Sequence, residues 1–232
     1  MQGGNLQEYE KGIAYIFDMI ENGTLKVGSK LPPERAIAEE VGVGRNSIRE
    51  AISILHGMGF IDRVQGSGNY VSKNVGQSIH QTIKIMLALG SVTKEEICEF
   101  RRVMEKAVCN MLIDKDIETP LKENISNLLA KMKNVYGKEL ADVDKQFHDA
   151  LIVATGNNLW ITIMEAVTEI YGEWIDYVIE YIYTPDREKL MLCHENIYNN
   201  LLAGEKKQML ASIDEHYDMI ERLLVCGEQH RF

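Results

Sequence analysis

Long apolar runs are missing from this chain. The most apolar stretch, residues 79–89, is short and interrupted by His80, Gln81 and Lys84, whereas a bilayer span needs ~20 apolar residues. The first residues carry acids and no apolar core, so no signal peptide and no membrane partner are expected, and the protein is expected to be cytoplasmic. Its four cysteines, Cys98, Cys109, Cys193 and Cys226, form no CxxC pair, which excludes a disulfide framework and leaves reduced thiols. Excess positive charge is also missing: the net charge is -10, against wholesale coating of nucleic acid. There is no internal repeat and no low-complexity tract. What is present is ordinary for a folded protein, with 45% apolar and 26% charged residues, enough for a real core.

The charge is uneven. Residues 1–75 hold 8 Lys/Arg against 9 Asp/Glu, and residues 76–232 hold 17 against 26. A near-neutral first third followed by a strongly acidic remainder suggests two domains with different partners. The N-terminal third reads as a helix over 8–22, with Ile13, Ile16, Phe17 and Ile20 at helical spacing. A second helix opens at Pro33, suited to a first helical position, and stops at Gly42. A third opens near Gly44–Asn46 and carries the stripe Ile48, Ala51, Ile52, Leu55. Two short helices across a tight Gly-containing turn form a helix-turn-helix pattern. Strand candidates at 60–64 and 69–71 flank the turn-forming Gln65-Gly66-Ser67-Gly68, completing a winged helix. With its apolar stripe buried, the third helix offers Arg45, Asn46, Ser47 and Arg49 outward. A recognition helix sets its N-terminal residues against base edges, where Arg pairs with guanine and Asn with adenine. Arg35 is placed to reach a phosphate, and the small residues of the Gln65-Gly66 tip allow a close minor-groove approach.

The stretch LPPERAIAEEVGVGRNSIREAISILHGMGFIDRVQGSGNYV closely resembles the DNA-binding domain of GntR-family bacterial transcription regulators. Their pattern is a Leu-Pro-Ser-Glu-Arg start, a Gly-Val-Ser-Arg-x-Thr-Val-Arg-Glu-Ala core and an Arg-x-Gly-x-Gly-Thr-Phe-Val wing. This chain places Pro33, Gly44, Asn46, Ser47, Ile48, Gln65, Asn69 and Tyr70 at some of those positions, while Arg45 and Arg49 are kept. The resemblance implies that Arg35, Arg45, Arg49 and the backbone around Gly66 contact DNA.

Residues 73–78 are polar and read as a linker between a DNA-binding domain, 1–72, and a helical domain, 79–232. Beyond the linker there are no strand signals. Helical stripes fill 79–89, 94–114, 118–136, 139–155, 158–183, 186–203 and 205–226, with breaks at Gly90, Pro120, Gly137, Gly156, Pro185 and Gly204. The expected fold is mainly α: a winged helix-turn-helix and an antiparallel bundle of about seven helices. Asp144 and His148, four residues apart, share a helix face at the edge of the Leu140, Val143, Phe147, Leu151 stripe. His194 and His216 fall mid-stripe on two helices joined at Gly204, and a chain folding back there sets them opposite each other. One carboxylate and three imidazoles suit zinc, with nickel, iron or manganese as alternatives. Hydrogen-bonded core histidines are the plainer explanation for each histidine alone. Arg101 lies about 60° from the centre of its helix stripe, and a partly buried guanidinium needs an anion: an internal acid, or a ligand carboxylate. Tyr171, Trp174, Tyr177, Tyr181 and Tyr183 cluster on one helix, as core, interface or pocket lining.

Asp144-Lys-Gln-Phe147-His148 followed by Ala154-Thr-Gly156-Asn157, the closing His194-x-x-Ile197 … Ala203-Gly204-Glu205 … His216, and Arg101-x-x-x-Glu105 resemble the FCD effector domain of the FadR subfamily. That resemblance implies a divalent metal on Asp144, His148, His194 and His216, with a small organic acid bound beside it. The expected function is a metabolite-responsive regulator, a homodimer on a pseudo-palindromic DNA operator, with Arg101 clamping the effector carboxylate. Two alternatives stand beside it: a metal-dependent hydrolase on the Asp/His₃ set, and a regulator with purely structural metal.

Overall fold

The computed structural model describes residues 7–74, 76–115, 117–180, 182 and 184–229, and only the backbone of Glu173, Tyr177, Glu180 and 225–229. Tyr181, Tyr183 and the side chains of Tyr177 and Cys226 thus lie outside the described residues. The chain divides into two compact units between Ile79 and His80.

The first unit runs α1 (Glu8–Glu21), α2 (Glu34–Val41), α3 (Arg45–Gly57), β1 (Ile61–Val64) and β2 (Gly68–Val71). Each helix buries its apolar stripe in one core: Ile16 and Met19 from α1, Ile37 and Ala38 from α2, Ile48, Ile52 and Leu55 from α3, closed by Ile61 and Val71. The α1–α3 approach is close because position 12 is glycine; a Cβ there would sit 2.9 Å from Ile48 Cδ1. The α2–α3 turn depends on Gly42 at φ 72°, a left-handed conformation that a side chain disfavours. Pro33 precedes the second helix as its N-cap, one residue outside the expected start. The strands pair antiparallel, Ile61 opposite Val71 and Val64 opposite Gly68.

The second unit is all-α: α4 (Gly76–Ala88), α5 (Lys94–Leu112), α6 (Thr119–Met132), α7 (Gly137–Ala154), α8 (Asn158–Glu180), α9 (Thr184–Ala203) and α10 (Lys206–Gln229). The unit boundary falls within α4, which starts at Gly76. The last three residues of the linker expected over 73–78 are thus helical, forming the first turn of α4. Pro120 and Pro185, expected as breaks, lie instead in the first turns of α6 and α9, where a missing N–H has no helical partner to lose. Thr93 and Glu96 form a reciprocal capping box at the start of α5, fixing where Arg101 falls on that helix. The core gathers Val108, Leu112, Ile125, Met132, Phe147, Leu151, Leu190, Ile197, Met209, Ile213 and Tyr217. Cys98, Cys109 and Cys193 are free and buried within this unit. Among the described residues no helix is long and apolar enough to cross a membrane.

Candidate functional site

Two surfaces carry chemistry. In the first unit, α3 presents Arg45, Asn46 and Arg49 to solvent, and Gln65 and Gly66 are exposed at the wing tip. Arg49 is aligned by Glu34, with Nη2 3.2 Å from Oε2, and exposed Arg35 pairs with Glu39 one turn on. Gly44 gives α3 no side-chain cap. A carboxylate from α1 takes that place: Glu8 Oε2 accepts from the Ser47 hydroxyl at 2.7 Å and the Gly44 N–H at 3.4 Å. The Ser47 hydrogen bond, then the Gly44 one, holds the Glu8 carboxyl below its ordinary value.

In the second unit, α7, α9 and α10 bring Asp144, His148, His194 and His216 together. All four are buried, and one ligating atom from each lies within 4.8 Å of the others. The helices do this by simple register. Asp144 and His148 stand one turn apart on α7, and the α9–α10 reversal at Gly204 faces His194 with His216. His194 Nε2 lies 3.0 Å from Asp144 Oδ1 and 3.2 Å from His148 Nε2. Two imidazole nitrogens face each other there, so one must carry a proton unless a cation sits between them. Both His216 nitrogens and His194 Nδ1 are buried without a hydrogen-bond partner. Buried polar atoms left unpaired are costly. A divalent ion taken up by this donor set would satisfy three imidazoles and a carboxylate, a set suited to zinc and its neighbours.

A further carboxylate stands behind His148. Glu105 Oε1 accepts from His148 Nδ1–H at 2.7 Å, and its Oε2 accepts from the Tyr217 hydroxyl at 2.6 Å. The bond fixes the tautomer that leaves His148 Nε2 turned toward Asp144 and His194. Burial alone would raise the Glu105 carboxyl; the facing charge and hydrogen bond of His148, with His216 and Arg101, bring it down to about 2. Asp144 is likewise held low by His194 and His148 against its burial. The same charges, seen from the histidines, separate two of them. Glu105 raises His148 against its burial, while burial and the two other imidazoles press His216 well down.

Arg101 is only 3% exposed and stacks over Tyr171 at 4.2 Å. Its Nε and the Thr168 hydroxyl are buried without partners. Both residues line a cavity of about 260 Å³ with Asp144, Lys145 and Tyr171. The guanidinium and one member of the histidine cluster therefore open onto the same space.

Residues 8–71 match the family described as "Bacterial regulatory proteins, gntR family", and residues 96–219 match the FCD domain. The chain is also 31% identical over 211 residues to the HTH-type transcriptional regulator LutR of Bacillus subtilis, covering 89% of this chain and 96% of that one. The chain belongs to the GntR family. It is a DNA-binding transcriptional regulator with an FCD-type effector domain, which agrees with FadR-subfamily architecture. It is 24% identical to the Glc operon transcriptional activator of Escherichia coli, over 79% of this chain and 76% of that one. A solved Streptococcus agalactiae GntR shares the fold, with a TM-score of 0.68 and 19% identity over 92% of this chain and 99% of that one. Membership in a family of non-catalytic DNA-binding regulators removes the hydrolase alternative. Glu195, one of two acids adjoining the histidines, is moreover tied to Lys133.

In this GntR regulator the structure gathers the four expected Asp and His residues and sets Arg101 on the wall of an adjoining cavity. It leaves Arg45, Asn46, Arg49, Gln65 and Gly66 on the exposed side of the winged helix, with Ser47 half-buried under Glu8. Sequence reasoning missed Tyr217, Thr168 and Glu8, and it placed Glu105 in a motif without giving it a role. Glu105 was within reach, one helical turn after Arg101 on the same face. Glu8 was not, since its partner lies 39 positions away.

Proposed function

We propose that this regulator is a homodimer that binds a pseudo-palindromic operator and answers to a small carboxylate bound beside a divalent metal. Domains are assigned as 1–72 for DNA, 73–78 as connection, and 79–232 for effector binding and dimerisation. Arg45, Asn46, Ser47 and Arg49 meet the major groove; Gln65 and Gly66 meet the minor groove; Arg35 meets a phosphate. Asp144, His148, His194 and His216 hold the metal, zinc first and nickel, iron or manganese as alternatives. The metal supplies a Lewis-acid contact for an effector oxygen. Arg101 clasps the carboxylate through its guanidinium fork, and burial excludes competing water. The observation that carries this reading is the shared cavity: Arg101, with an unpartnered buried N–H, and Asp144 line the same space. A purely structural metal would not call for a buried guanidinium facing that space. The effector acts through its different affinities for DNA-competent and DNA-incompetent arrangements.

The test is operator binding by fluorescence anisotropy. DNA from the protein's own promoter region is titrated with and without a panel of small carboxylates, at fixed salt and metal. One acid that shifts the affinity, and loses its effect in Arg101→Gln, upholds the reading. Operator binding indifferent to every acid sinks the effector assignment while leaving the DNA-binding one.

A further inference from the structure

The wing and α3 enclose a cleft lined by Arg49, Arg63, Gln65 and Gly66, with Glu34 on one side. The recognition scheme above uses Arg49 and the tip, and leaves Arg63 without a role. Arg63 lies within β1 opposite Asn69. Side chains alternate along a strand, so Arg63 shares the face of Ile61, which is buried in the core that α3 helps to form. The long Arg63 side chain accordingly crosses to α3, where Nη2 donates to Ser53 Oγ at 2.6 Å. Ser53 in turn donates to the Arg49 carbonyl at 2.7 Å. The guanidinium is thus anchored on the recognition helix, one turn from Arg49, yet Arg63 stays exposed.

The two arginines differ in how their charge is balanced. Arg49 faces the Glu34 carboxylate. Arg63 meets a neutral hydroxyl, and among the described residues no carboxylate pairs with it. With one N–H spent on Ser53, the rest of the fork is available to an anion. Val64, the next residue, is 48% exposed and carries no charge, so Arg63 supplies the cation on this strand.

We propose that Arg63 is a DNA phosphate contact, gripping the backbone of the strand that passes between the recognition helix and the wing, with Ser53 as its positioning residue. A guanidinium fork matches phosphate oxygens. Phosphate contacts carry no sequence information, so Arg63 sets affinity and salt dependence, not operator choice.

The test uses the full chain and two duplexes of unrelated sequence, followed by anisotropy across a salt series. Arg63→Gln is expected to weaken both duplexes by the same factor. It should also lower the magnitude of the slope of log K against log salt by about 0.9 for each phosphate no longer neutralised. Arg63→Lys should keep that slope. Ser53→Ala, which frees the guanidinium without removing its charge, should keep the slope and weaken binding far less than Arg63→Gln. A wild-type salt slope in Arg63→Gln overturns the proposal, as does a weakening confined to one duplex. So does a Ser53→Ala effect equal to that of Arg63→Gln, because Arg63 would then serve only to tie the wing to α3.

Discussion

Replacing Glu105 by glutamine removes one buried charge and almost no volume, so its effect isolates what the carboxylate does for the histidine cluster. Glu105 serves two donors at once, His148 Nδ1–H at 2.7 Å and the Tyr217 hydroxyl at 2.6 Å. A carboxamide offers one oxygen and one NH₂, so it satisfies only one of them. If its oxygen faces His148, the tautomer survives but the negative charge behind the ligand is gone. If its NH₂ faces His148, the ring must accept at Nδ1 and carry its proton on Nε2. That is the atom lying 3.2 Å from His194 Nε2, and it no longer serves as a ligand. Either way metal affinity falls. Removal of such an outer carboxylate costs about 10- to 100-fold, or roughly 1.4–2.8 kcal/mol at tenfold per 1.4 kcal/mol. A competition titration of zinc against a chromogenic chelator at fixed pH measures it, with thermal melting of the metal-free variant as the check on folding. An intact variant that binds zinc within about twofold of the parent would falsify the argument. A parent protein that takes up no stoichiometric metal would instead count against the cluster as a metal site.

The acid side of the same cluster predicts a pH window for the metal-free protein. Glu105 and Asp144 are held below their ordinary values, so they add stability above about pH 4.5 that is lost as pH falls through their folded values. His216 is also lowered, so its contribution is lost as pH falls below 6.5, whereas raised His148 opposes it near neutrality. The melting temperature should therefore drop steeply below about pH 4.5, and a flat profile there would show that the four are not coupled as described. In the first unit, Glu8→Gln keeps an acceptor for Ser47 but removes a negative charge from the N-terminal end of α3. If that end meets DNA as proposed, affinity for any duplex should rise about two- to fivefold at low salt; an unchanged or weaker complex would make Glu8 a cap and nothing more. Leu55, 1% exposed in the winged-helix core, should cost about 2–5 kcal/mol when cut to alanine. Urea unfolding monitored on the first unit checks this, and a cost under ~1 kcal/mol would mean that the site collapses around the cavity.

What the sequence revealed follows from which interactions are periodic. Stripes such as Ile48, Ala51, Ile52, Leu55 repeat at helical spacing, so α3 and its exposed face are legible from the residues alone. The inward positions of His194 and His216 come from the same periodicity, and their meeting needs only the reversal at Gly204. Element ends are less legible. Pro120 and Pro185 read as breaks because proline ends helices, yet its missing N–H is harmless in a first turn, where both are found. The α4 start at Gly76 is hidden because polar Gln77 and Ser78 are as compatible with a loop as with an exposed first turn. Contacts between distant side chains leave no periodic trace. Glu8 to Ser47, Tyr217 to Glu105 and Arg63 to Ser53 depend on how helices and strand are set against each other.

Helix α5 ties the two halves of the proposed effector site together. Arg101 and Glu105 lie one turn apart on its buried face; one lines the cavity, the other orients His148. The same helix is held to α10, where Arg102 meets Asp218 at 2.6 Å and Glu221 at 3.1 Å. An acid that draws on Arg101 therefore acts on the same helix that sets the tautomer of a proposed metal ligand. The coupling must be reciprocal: whatever factor the metal adds to acid affinity, the acid adds to metal affinity. Zinc titrations with and without a saturating effector acid should thus differ by the factor seen when acid titrations are run with and without zinc. Glu105→Gln should shrink both factors equally, because it loosens α5, the link that the two ligands share besides the proposed contact of acid and metal. If the variant weakens zinc binding but leaves the acid's enhancement intact, the coupling runs through direct contact of acid and metal in the cavity, and α5 is only its support.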